Sequence, residues 1–340
     1  METTPRSSSV SDIRPPAWSP IAWSLLMVIT VTTPAVAEIA EPGITGRASM
    51  VPGATRRGRS PAAGDRSPWM QGRGLEMWRA GGARLAIERF AGDVIEGIER
   101  GPGERGSQRI VLHPLGLVGM RWRETRCTEN ACQHRIYRVV DVSRDTSRNT
   151  MPEHGDNHDV WLHRIEYSRA SDPGPGDWSE VCEPGTRGER AGVFVDGQWA
   201  RDGSWTADGY TFSCPTGVIA KCLRAWGYKP WKTLPAPGRG LVALRPLHLA
   251  CTRAARADYC GDGVSHTRDG TLIDMFDVHG FNVREPGSGF TEESIFSERG
   301  AEYLRHIRIA GKQPACGQEM AIMATRTPLI YVWSGGPPVE

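Results

Sequence analysis

Net charge is nearly absent from this chain: 41 basic residues against 39 acidic ones leave +2 over 340 positions. Taking away a leader that carries Glu2, Arg6, Asp12 and Arg14 leaves that balance unchanged. No field exists to recruit nucleic acid or an anionic membrane, so neither is expected as a partner. Lysine is scarce, with Lys221, Lys229, Lys232 and Lys312 the only four. Such Arg, Gly, Ala and Pro bias is typical of GC-rich coding and carries no mechanism. No internal repeat is present. A G-x-S-x-G nucleophile elbow is missing, which removes the usual α/β-hydrolase signal. Also missing is the regular D-x-[DN]-x-[DN]-G alternation of an EF-hand.

Long apolar runs are missing too. The most apolar stretch, Ile21 to Val31, is too short for a bilayer span of roughly 20 residues. It follows Arg6 and Arg14 and closes in Ala35-Val-Ala37, the pattern of a secretory signal peptide over 1–37. The expectation is an exported chain, periplasmic or secreted, soluble after cleavage near Ala37, with no transmembrane segment left. Residues 38–68 are Gly, Pro, Ala, Arg and Ser with few large apolar groups, and read as a flexible tether. The folded body is expected over 69–320, with a possible β-rich subdomain at 69–205 and a motif-bearing part at 206–320, and 321–340 as a tail.

Within that body, 84–90, 135–142 and 160–167 alternate apolar and polar residues near period two and read as half-buried strands. Gly192 to Ala200 reads as a hairpin turning at Asp196-Gly197, followed by a strand at 210–214. Helical spacing begins later. Ile219, Cys222, Leu223 and Trp226 share one face, stopped by Gly227 with Pro230 beyond; a second helix spans about 244–258, ended by Gly261. Thr271 to Asp277 is then a strand, and 291–306 a third helix. The fold class expected is α+β: a β-rich N-terminal part, a few short helices in the C-terminal part, and disulfide stabilisation.

Eight cysteines survive the leader: Cys127, Cys132, Cys182, Cys214, Cys222, Cys251, Cys260 and Cys316. An even number in an oxidising compartment reads as a disulfide framework, of which 105 full pairings exist. If 244–258 is helical, Cys251 and Cys260 stand about 13 Å apart at 1.5 Å rise per residue, too far to bond to each other. Each therefore pairs elsewhere, with Cys182, Cys214, Cys222 or Cys316. CTENAC, a short polar loop, is expected to close as a local Cys127–Cys132 bridge. Bridges from the strand of Cys214 and the helix of Cys222 to the helix of Cys251 would add about 2–4 kcal/mol each.

Two segments then stand out: YTFSCPTGVIAKCLRAWGYKPW at 210–231 and LACTRAARADYCGDGVSHTRDGTLID at 249–274. They resemble the ADYC domain family, named for the string found here at Ala257 to Cys260. The resemblance extends more loosely from about residue 75 to the Cys316 region, with CTENAC and the tether particular to this chain. It implies an exported bacterial protein and assigns no biochemical role.

The loop Asp258, Tyr259, Cys260, Asp262, Ser265, His266 and Asp269 is the candidate functional site. As a catalytic centre it would need Ser265 and His266 assembled with an acid. Adjacent residues on an extended chain point to opposite faces, which argues against that. Cys260 as a nucleophile would have to be a free thiolate beside His266 or His248. The aspartates offer hard oxygen ligands without the spacing of a calcium loop. Glu153 to Asp159 holds His154 and His158 at i, i+4, but Gly155, Asp156 and Asn157 are poor helix formers, so a polar loop is expected there. The structural reading explains more parts: Asp258 pairs with Arg253 or Arg256, Tyr259 fills the core edge, Cys260 staples the helix end, and Gly261, Gly263 and Gly270 supply turns. No catalytic residue, metal or cofactor is assigned. Two functions stay open: a binding module of the envelope or exterior, which an exposed set among Trp199, Trp205, Trp226 and Trp231 would support, or a hydrolase using the 258–271 loop.

Overall fold

A computed structural model describes residues 47–50, 69–72, 74–79, 82–101, 106–127, 132–185, 188–200, 204–268, 271–284, 289–316 and 328–335. The expected signal peptide, most of the tether, and Asp269 lie outside them. In chain order the strands are β1 (Arg47–Met50), β2 (Trp69–Gly72), β3 (Leu75–Trp78), β4 (Arg84–Ala91), β5 (Val94–Arg100), β6 (Ser107–Leu112), β7 (Arg121–Cys127), β8 (Cys132–Arg144), β9 (Trp161–Ser168), β10 (Ser179–Glu180), β11 (Ala191–Trp199) and β12 (Trp205–Ser213). Then come α1 (Val218–Arg224), β13 (Thr233–Ala236), β14 (Gly240–Ala243), α2 (Arg245–Arg256), β15 (Thr271–Asp277), β16 (Thr291–Ser297), β17 (Gly300–Leu304) and β18 (Ile330–Ser334).

Eleven strands form one antiparallel sheet in the order β2-β12-β11-β9-β8-β7-β3-β4-β5-β6, with β10 paired to β9. The sheet curls back on itself. Phe90 of β4 stacks on Phe194 of β11 with ring centroids 4.6 Å apart, and the Phe90 amide donates to the Asp196 carboxylate. Inward residues at period two, among them Met77, Trp122, Ile165 and Phe212, fill the space between. A second antiparallel sheet runs β1-β15-β18-β16-β17, and α2 packs on its β16–β18 region. The second core, around Leu223, Trp226, Leu247, Tyr259, Phe296 and Val332, lies between them.

The expected α+β class is overturned. The described residues hold two α-helices, both in the middle of the chain, and four more strands follow them. The proposed third helix at 291–306 is the hairpin β16–β17, with Ser297 opposite Gly300 and only Glu298 and Arg299 between them. Glu293 and Glu302, which resemble the polar face of a helix in sequence, point inward and are buried. Asp196-Gly197 is a bulge inside β11, where Gly197 has φ +83° and Cβ on it would lie 2.0 Å from the Trp205 indole. The reversal comes after it, Ala200 donating to the Ser204 carbonyl. Two segments assigned outside the body contribute strands. Arg47–Met50, within the expected tether, pairs with β15, and Ile330–Ser334, within the expected tail, is the middle strand of its sheet.

Both cores enclose a histidine. His163 and His248 are 3 % and 0 % exposed. Burial pulls each down to about 4, against smaller opposing effects of main-chain groups at Trp161 and Gly192 for His163 and at Tyr228 for His248. The unfolded chain, with histidines near 6.5, binds protons that the folded chain refuses, so stability falls as pH drops from about 6.5 to about 4. Each histidine costs on the order of 3 kcal/mol across that window. The check is urea unfolding at pH 7, 5.5 and 4.5: the midpoint should fall with pH, and His163→Phe should flatten that slope by about half.

Candidate functional site

The signature begins at the end of α2. Pro246 starts this helix where a missing N–H costs nothing, and Leu247, Ala250, Cys251, Ala254 and Ala255 give it a buried face. It ends with Ala257 at φ +50°, the one non-glycine residue with positive φ among those described. Glycine normally occupies that position. Asp258 donates its amide to the Arg253 carbonyl at 3.0 Å and Ala257 to that of Ala254 at 3.1 Å, a Schellman-type closure.

A buried guanidinium completes the cap. Arg308 reaches from the segment after β17, donating to the carbonyls of Ala254 at 2.6 Å and Ala255 at 3.1 Å and to Glu293 Oε2 at 2.7 Å. Its side chain is 1 % exposed and that of Glu293 0 %. Burial pulls Arg308 down, but Glu293 and Tyr259 more than offset this and hold it above its usual range. Tyr259 is enclosed by the same network: its hydroxyl donates to Glu293 Oε1 at 3.0 Å, accepts the Arg308 amide at 3.2 Å, and its ring stacks on Phe296. Burial and Glu293 push the phenol far above its ordinary value, so it stays protonated.

Asp258, 1 % exposed, accepts Arg253 Nη1 at 2.6 Å and the Gly263 amide at 3.1 Å. Burial raises its carboxyl, and Arg253 and Arg256 oppose the rise only in part. The Ser265 hydroxyl donates to the Arg256 carbonyl at 3.1 Å. His266 places Nδ1 3.2 Å from the carbonyls of Ala257 and Val264, and burial lowers its pKa. Asp262 is exposed and accepts only the Val264 amide among the bonds described. Thus Ser265 and His266 both bind main chain and are not joined to each other.

The cysteines distribute as Cys182–Cys214, Cys222–Cys251 and Cys260–Cys316. Cys222–Cys251 ties α1 to α2, and Cys214 goes to Cys182 on the large sheet rather than to α2. Cys132 is disulfide-bonded and stands opposite Cys127 in the β7–β8 register. No free cysteine remains among the described residues.

The polar segment 153–159 is irregular, with His158 exposed and near only Asp156, and no group of three metal-binding side chains occurs among the described residues. Asn149 and Asn157 hold it. The Asn149 amide donates to the His154 and Asp156 carbonyls and to Asn157 Oδ1, and Asn157 donates to the Arg224 carbonyl at 2.9 Å. Asp159 accepts Lys229 and Trp231. Burial raises its carboxyl, but Lys229 and Trp231 overcome that and leave it below its usual range. The tryptophans are interior: Trp199 and Trp226 are 5 % and 0 % exposed, Trp205 and Trp231 half-buried. One cavity of about 10 Å3, lined by Trp161, His163, Phe194 and Trp231, has room for a single water.

Sequence reasoning did not find Arg308 or Glu293, whose pairing spans 15 positions and two elements. One glycine of the loop, Gly261, is explained by the same hairpin. Gly261 has φ +70° and a Cβ there would lie 1.8 Å from the Arg299 carbonyl oxygen; Ala301 donates its amide to the Tyr259 carbonyl beside it at 2.8 Å. Gly280 has φ +78° with nothing within 4 Å of a Cβ. Gly280→Ala should therefore cost only the left-handed penalty of about 1–2 kcal/mol, and Gly261→Ala at least about twice that, read from denaturant midpoints. Equal losses would show that the motif does not depend on its close approach to β16–β17.

The ADYC domain model matches residues 115–310, a span that starts later than the resemblance at residue 75 and includes CTENAC. No curated protein and no solved structure matches the chain. With more than half of its length inside that match and the motif itself at the cap of α2, the chain belongs to the ADYC domain family.

Proposed function

We propose that this chain is a non-catalytic binding module of the cell envelope or exterior, held rigid by disulfides. The observation that carries the reading is the commitment of the signature loop to the fold. Cys260 is bridged, Asp258 is paired with Arg253, Tyr259 with Glu293, and the Ser265 hydroxyl and His266 Nδ1 face main-chain carbonyls. A catalytic loop must keep a nucleophile and base for substrate, and here those groups are used for structure. Paired cysteines fit an oxidising compartment. None of the helices described is long and apolar enough to cross a membrane.

A surface for a partner lies at the free edge of the large sheet. Eight large apolar side chains are exposed among the described residues, and Val111, Leu115 and Val118, at 69 %, 51 % and 46 %, fall within eight positions at β6 and the turn after it. Apolar groups gathered at an unpaired strand edge mark a contact surface. The test is co-sedimentation of the exported protein with isolated envelopes of the cells that produce it, alongside ester and peptide hydrolysis assays. Wild type should be retained, and Val111→Asp with Leu115→Asp should reduce retention about tenfold without lowering Tm. Retention unaffected by these changes, no retention at all, or hydrolysis abolished by Ser265→Ala would contradict the reading.

A further inference from the structure

The three disulfides with both sulfurs described are unequal in one respect. Cys222 and Cys251 are fully buried, and Cys182 and Cys214 are 2 % and 3 % exposed. Cys260 and Cys316 are half-buried. Burial blocks the in-line approach that a thiolate needs to attack a disulfide, so of the three this bridge is the least protected from an external reductant. It also closes the longest loop of the three, 56 positions against 32 and 29.

What it fastens is a strap. After Arg308, which is anchored by its salt bridge and by the α2 carbonyls, residues 309–316 run without helix or strand and mostly exposed or half-buried, Pro314 excepted. Lys312 donates to the Ser265 carbonyl and Cys316 is bonded to Cys260, which lays this segment across the signature loop. His266, next to Ser265 in the loop, is only 3 % exposed. The motif does not need the bridge to keep its shape, because Arg308, Glu293, Tyr259, Asp258 and Arg253 hold it from within.

We propose that Cys260–Cys316 is a redox latch: a thiol–disulfide exchange site for an external dithiol, whose reduction releases the 309–316 strap from the signature loop while the two buried bridges and the cap of α2 stay intact. The geometry also fixes a direction of attack. The Cys316 amide donates to Cys260 Sγ at 3.0 Å, which stabilises Cys260 as a leaving thiolate. A thiolate of the dithiol bonds to Cys316 Sγ, the Cys316–Cys260 bond breaks, and Cys260 leaves with the electron pair and takes up a proton. The second thiol of the reagent then displaces Cys316, so two electrons and two protons pass to the cysteines and the dithiol departs as its disulfide.

The experiment uses the full exported chain, folded and without denaturant. It is exposed to graded dithiothreitol, quenched with N-ethylmaleimide and mapped by mass spectrometry, with trypsin cleavage after Lys312 followed in parallel. Cys132, exposed on its hairpin, is also accessible, so the comparison is against the four buried cysteines. Cys260 and Cys316 should be labelled at least tenfold faster than Cys182, Cys214, Cys222 and Cys251, and cleavage after Lys312 should rise at least tenfold on reduction. Cys260→Ser with Cys316→Ser should reproduce that cleavage in the absence of reductant. A glutathione challenge should leave its adduct on Cys316. Simultaneous labelling of all six, labelling of the buried four first, or cleavage unchanged by reduction would overturn the latch, and an adduct on Cys260 would overturn the direction of attack.

Discussion

The guanidinium of Arg308, buried between the last carbonyls of α2 and the carboxylate of Glu293, is the interaction on which the ADYC region depends. A helix terminus leaves carbonyls without partners, and enclosing them inside a domain is costly unless donors are supplied. Arg308 supplies a donor to the Ala255 carbonyl and a second one to that of Ala254, and neutralises the buried carboxylate of Glu293. Three elements distant in sequence are fixed by one side chain. Tyr259 then has a place to donate, Ala257 is held at positive φ, and Gly261 is brought against the Arg299–Gly300 turn.

The four signature residues have distinct roles around that point. Ala257 reverses the chain, Asp258 seals Arg253 and the Gly263 amide, Tyr259 joins the salt bridge and the Phe296 face, and Cys260 carries the covalent tie to the strap. Elsewhere the same economy recurs. Asp196 receives the Phe90 amide where the large sheet meets itself without a ladder, and Asn149 and Asn157 knit the 153–159 segment to the end of α1. A chain with little net charge thus uses several of its buried charges as internal clamps.

Local physics was legible in the sequence and long-range pairing was not. Alternation at period two located β4, β8 and β9, and Gly227 marked where α1 stops, whereas α2 ends at Ala257, four positions before the expected Gly261. The 13 Å separation along α2 correctly kept Cys251 and Cys260 apart, yet no spacing rule selects Cys222 and Cys316 as their partners. Residues 291–306 misled because Glu292, Glu293 and Glu302 suggest a solvated helix face. The partners Arg308 and Tyr259 make a buried Glu293 tolerable, and both lie outside any local window. Asp196-Gly197 carried a turn signature that a bulge shares, since both need glycine at positive φ. The signature loop's own residues were identifiable as a structural cluster, but their chemistry depended on which groups the fold would set against them.

The most direct test of this account is a double-mutant cycle on the clamp, with Arg308→Met, Glu293→Gln and the pair measured by chemical denaturation. Each single change strands a buried charge or leaves buried carbonyls unsatisfied, and should cost about 3–5 kcal/mol, with the double variant losing less than the two losses summed. Single losses below about 1 kcal/mol, adding without coupling, would show that the ADYC motif is held by something other than Arg308 and Glu293.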